Sequence, residues 1–83
     1  KTRVSYVYTK KEVYKTSLKI NELILLLNDS FCICHKSFIV HMDYIKDINH
    51  NSVQLMNQQI IPISRSQKEA FKKLYNRYLL TNK

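Results

Sequence analysis

The chain has 83 residues, with 14 Lys and Arg against 6 Asp and Glu, a formal charge of +8 and a pI near 9.7. That is one small domain, residues 1–83, with a modest core, and a hydrophobic content of 45% excludes a disordered polybasic tail. The longest apolar run covers only residues 23–27, far short of the roughly 20 residues that a membrane-spanning helix needs; with no apolar stretch behind the opening Lys1-Thr2-Arg3-Val4, no secretory signal is expected either.

In chain order, residues 4–8 alternate Val4, Tyr6 and Tyr8 against Ser5 and Val7, and residues 12–16 resume after the polar break Thr9-Lys10-Lys11. This predicts a hairpin with a basic tip. Ser17 then offers an N-cap hydroxyl, and Ile20, Leu23, Ile24 and Leu27 fall on one face of a short helix that Asn28-Asp29-Ser30 ends. Short strands follow over 31–34, 38–40, 45–48, 52–56 and 59–63, separated by His35-Lys36-Ser37, Asp43-Tyr44, Asn49-His50-Asn51 and a two-residue Asn57-Gln58 loop. Pro62 cannot donate to a ladder, which gives the last strand an edge position or an irregular end there. Ser66-Gln67-Lys68-Glu69 has the form of a capping box, opening a helix whose apolar face is Phe71, Leu74, Tyr75 and Tyr78. The chain contains no glycine. Phosphate-cradling loops of the Walker and dinucleotide types are therefore excluded, and asparagine is left to supply the turns.

Catalysis finds no footing. The acids Glu12, Glu22, Asp29, Asp43, Asp47 and Glu69 are scattered, and Cys34 and His35, as neighbours on a strand, are expected to face opposite sides rather than form a nucleophile and its base. Cys32, Cys34, His35 and His41 have metal-ligand chemistry but match no common zinc spacing. No metal or cofactor is expected. A disulfide across one intervening residue is strained, so the cysteines read as thiols of a reducing cytosol, at least one of them packed as a small hydrophobe. A second reading gives Cys34 a redox role through the cationic neighbour Lys36.

The basic excess remains. Arg3, Lys36 and Arg65 sit at junctions between apolar segments, the last two within His35-Lys36-Ser37 and Ser64-Arg65-Ser66. Cations flanked by hydroxyls suit phosphate contacts, and an arginine at such a loop can bond both major-groove acceptors of guanine. Bulk charge alone leaves an acidic membrane surface, an acidic protein partner, or sequence-independent binding of RNA with tyrosines stacked on bases, as alternatives. Tyr6, Tyr8, Tyr75 and Tyr78 read instead as core or core-edge residues.

The stretch Phe31-Cys32-Ile33-Cys34-His35-Lys36-Ser37-Phe38-Ile39-Val40-His41, followed by Tyr44-Ile45 and by Ile61-Pro62-Ile63-Ser64-Arg65, resembles the LytTR DNA-binding domain. That family shows F-x-R-x-H-R-S-x-x-V-N, then an isoleucine strand, then a closing I-P-I-S-R. The match is clearest over 31–74, and residues 17–27 fit the preceding helix. The resemblance implies a mainly β fold: a LytTR-like arrangement of short antiparallel sheets and hairpins with two short helices. It implies the cytoplasmic output domain of a bacterial response regulator of the LytR/AlgR type, joined to a receiver domain and bound as a dimer to double-stranded DNA, with loops entering successive major grooves. Carried over, it sets His35, Lys36 and Ser37 against DNA, gives Arg65 a base or phosphate between Ser64 and Ser66, and puts Lys1 and Arg3 near a further contacting loop. Ile33 and Lys36 stand where the family has arginine, and His41 where it has asparagine. The family's opening strands are expected to be missing, as in a fragment of a longer regulator.

Overall fold

Strict alternation along three strands divides their side chains between two cores, and that division organises the molecule. The computed structural model describes residues 4–81. Strand β1 (Ser5–Tyr8) turns through Lys10 and Lys11 into β2 (Val13–Thr16), and after helix α1 (Ile20–Leu23) come β3 (Phe31–His35) and β4 (Phe38–His41). These strands form one sheet in the order β2-β1-β4-β3. On one face, Val7 of β1 and Ile39 of β4 meet Ile20 and Leu23 of α1, with Ile33 and Phe31 of β3 alongside. On the other face, Tyr8, Val40, Cys32 and Cys34 join the second core. A strand with both faces covered needs apolar residues at odd and even positions alike, which is why β3 and β4 read as nearly continuous apolar runs.

The second core is closed by β5 (Ile45–Ile48), β6 (Ser52–Leu55) and β7 (Ile60–Pro62), an antiparallel sheet in that order, and by α2 (Lys68–Thr81). Val53, Leu55, Ile61 and Phe71 are almost fully buried there. Pro62 lies on an edge strand, where its missing N–H costs the ladder nothing. Along α2, Phe71, Tyr75 and Tyr78 stack with ring centroids 6.5 and 6.3 Å apart, the tyrosines packing against the core with Tyr6.

Several expectations are corrected. The sheets are not purely antiparallel: β1 runs parallel to β4, with Tyr6 opposite Phe38 and Tyr8 opposite Val40. Alternation specifies which face a residue takes, not which strand it meets. Ser17 does not cap α1. The cap position is Lys19, without a side-chain bond, and the Leu18 amide is taken by Thr16 Oγ1. The helix lasts one turn before tightening into a 3₁₀ turn, Ile24–Leu26. The capping box does not form, because a 3₁₀ turn (Arg65–Gln67) precedes α2; Ser66 lies inside that turn, its hydroxyl 3.5 Å from that of Ser64. The β6–β7 connection exceeds two residues. The Leu55 amide donates to the Gln59 carbonyl and the Gln58 amide to the Leu55 carbonyl. The left-handed position among the described residues belongs to Gln58 (φ 77°), not to an asparagine; Asn57 contributes through its side chain, accepting from the Gln59 amide.

Candidate nucleic-acid interface

The β3–β4 turn is held from several sides. A bulge between Ile33 and His35 sets His35 opposite Phe38, their rings 4.7 Å apart. Tyr6 and Tyr8 each approach the Phe38 ring at 5.8 Å, so aromatic packing fixes the base of the turn. The Ser37 amide donates to His35 Nδ1 at 3.1 Å, and the Ser37 carbonyl accepts from the Tyr6 amide at 2.8 Å. Lys36 at the tip is exposed, and Ser37 is half-buried. Burial and, secondarily, the Lys36 ammonium hold the His35 imidazole below its usual pKa. A neutral ring with Nδ1 accepting keeps its proton on Nε2 as a donor.

Two main-chain bonds gather the remaining loops around this turn. The Ser64 amide donates to the Cys34 carbonyl at 2.8 Å, and the Ile63 amide to the Asn51 carbonyl at 2.9 Å. The first brings Ser64-Arg65-Ser66 beside His35-Lys36-Ser37. The second ties both to Asn49-His50-Asn51. Arg65 is exposed at the start of its 3₁₀ turn. Of the residues singled out in the sequence, His35, Lys36, Ser37, Ser64, Arg65 and Ser66 therefore come together; Lys1 and Arg3 lie outside the described residues.

Sequence reasoning missed Lys68. Its Nζ lies 3.2 Å from His50 Nε2 and 3.3 Å from Asn51 Oδ1, adding a cation beside Arg65 and joining α2 to the β5–β6 turn. The contact spans 17 and 18 residues of sequence, and no local signal marks it.

The cysteines take no part in this surface. Cys32 and Cys34 are free and buried, and burial pushes both thiols up to about 12. The reading of Cys34 as a redox centre is corrected, since desolvation outweighs whatever Lys36 contributes. Cys34 Sγ faces the Phe38 carbonyl at 3.8 Å while His35 Nδ1 is occupied by the Ser37 amide, so thiol and imidazole serve separate partners. Among the described residues no three His, Cys, Asp or Glu side chains converge as metal ligands would, and no helix is long and apolar enough to cross a membrane.

A small β module that projects cations and hydroxyls from loops locked by main-chain bonds presents groups that suit phosphate contacts. The LytTr DNA-binding domain family model matches residues 1–76, a span that includes β1 and β2, and the chain belongs to that family. Transcriptional regulatory protein YpdB of Escherichia coli O6:H1 is 32% identical over 79 residues, which take in 87% of this chain and 32% of that protein; the chain thus spans about a third of this relative. The solved LytTr DNA-binding domain of a methyl-accepting/DNA response regulator from Bacillus cereus superposes with a TM-score of 0.71 at 32% identity, covering 89% of this chain and 73% of that one.

Proposed function

We propose that this domain binds duplex DNA sequence-specifically, without chemistry, as the cytoplasmic output domain of a bacterial transcriptional regulator. The observation that carries the reading is the Ser64–Cys34 main-chain bond, which brings the loops carrying Lys36 and Arg65 side by side. In this reading Arg65 reaches base acceptors in the major groove, while Lys36, a point charge without the bidentate fork of arginine, neutralises phosphate. His35 donates from Nε2, and Ser37, Ser64 and Ser66 fix register on the backbone. Lys1 and Arg3 serve an adjoining contact. The relative's name as a transcriptional regulatory protein, and its roughly threefold greater length, support a receiver domain elsewhere in the regulator. Two copies would bind half-sites about one helical turn apart.

Selection of the domain against random duplexes at roughly physiological ionic strength, where the screening length is about 8 Å, tests the reading. Enrichment of paired, similar half-sites is the expected result. Binding that only fades with salt, with no preferred sequence, would overturn it and leave a basic module for an acidic protein or for nucleic acid in general.

A further inference from the structure

Beside the Lys36 turn lies a depression of about 210 Å³ lined by Lys19, Ile20, Asn21, Ile33, Lys36 and Gln67. We infer that it seats one backbone phosphate of the bound duplex, with Lys19 and Gln67 as contact residues that the motif does not include; this rests on the duplex-binding reading above. Its walls come from separate parts of the chain: the entry to α1, strand β3, the β3–β4 turn and the 3₁₀ turn before α2. Two lysines, two carboxamide residues and two isoleucines line it, with no carboxylate among them. An anion seated in a depression lined by two lysines gains two attractions. Carboxamide N–H groups supply direction that ammonium groups lack, and Lys, Asn and Gln are among the side chains that contact DNA phosphates. The position also fits: Gln67 closes the 3₁₀ turn that Arg65 opens. A phosphate held here would lie one turn from the arginine assigned to base contact. Lys19 is well placed for this, because its carbonyl accepts from the Glu22 and Leu23 amides at 3.0 and 2.8 Å, anchoring the backbone from which its side chain extends.

The test measures duplex affinity of the 83-residue chain between about 50 and 200 mM salt, the range over which phosphate contacts are counted from the slope of log K against log salt. Lys19→Gln should lower that slope by about one unit and weaken binding roughly fivefold to tenfold near 0.1 M. Lys19→Arg should keep the slope. Lys46→Gln, on β5 beside Asp47 and Lys72 in a different depression, should match the unmodified chain. A Lys19→Gln slope equal to the unmodified one, alongside a loss in Lys36→Gln, would overturn the seat and leave the duplex reading standing. Absence of salt-dependent duplex binding by the unmodified chain would overturn both.

Discussion

The Ser37 amide donates to Nδ1 of His35 at 3.1 Å, so the turn that carries Lys36 is closed by a bond that only a neutral imidazole can accept. Protonating Nδ1 removes the acceptor and places an imidazolium next to the Lys36 ammonium. Burial, and then Lys36, lower the pKa of this group in the folded state, so the unfolded chain takes up the proton first. Stability from this source is therefore fully present above the ordinary histidine value of about 6.5 and is lost as pH falls through the lower folded value. Urea unfolding between pH 5 and 8 should show this decline. It should be smaller in His35→Asn, whose side-chain oxygen can accept from the same amide without titrating; equal declines in the two proteins would refute the assignment.

Arg65 and Lys36 should fail differently on DNA. Arg65→Ala is expected to cost about 1–3 kcal/mol and to relax sequence preference at one position. Lys36→Ala should weaken all duplexes alike and reduce the salt slope by about one. Competition binding with matched and scrambled duplexes separates these outcomes, and a uniform loss in both variants would remove Arg65 from base readout.

Cys32 and Cys34 should be chemically silent in the native fold. With both thiols buried and pushed up to about 12, the reactive thiolate is scarce and shielded. Ellman's reagent at pH 7.5 should react only slowly with the folded domain and rapidly with both thiols in urea. Fast native labelling of either cysteine would contradict the packing described.

The β6–β7 turn offers a stabilising substitution. Gln58 occupies the left-handed region at φ 77°, where a side chain with a Cβ pays roughly 1–2 kcal/mol that glycine does not. The exposed bond from Gln54 to its side chain is a small loss. Gln58→Gly should raise stability by about 1 kcal/mol, several degrees in Tm for a domain of this size. A lower Tm would show that the turn holds its shape by other means.

Local chemistry made most of the elements legible. Alternation at Tyr6 and Tyr8 marked β1, Pro62 marked an edge strand, and the spacing of Phe71, Leu74, Tyr75 and Tyr78 marked the inner face of α2, although Leu74 of that set is exposed. The Ser-Arg-Ser and His-Lys-Ser triplets flagged the loops that the fold brings together. What the sequence did not carry were relations between distant segments: the parallel pairing of β1 with β4, and the reach of Lys68 to His50 and Asn51. Local rules also failed where tertiary bonds claimed a group first. The Ser64 amide belongs to Cys34, and the chain enters α2 through a 3₁₀ turn that absorbs Ser66 instead of presenting it as a cap.

The parallel pairing of β1 with β4 also makes the central seam of the sheet its long-range contact. Both hairpins, β1–β2 and β3–β4, close over short loops, whereas joining them requires the chain to loop back across β2, α1 and β3. Closure of that longer loop is entropically costly and kinetically slow. The bond from the Tyr6 amide to the Ser37 carbonyl crosses that seam. Exchange of the Tyr6 amide hydrogen therefore reports whether the two halves of the sheet are joined, and with them whether the turn carrying Lys36 keeps this support.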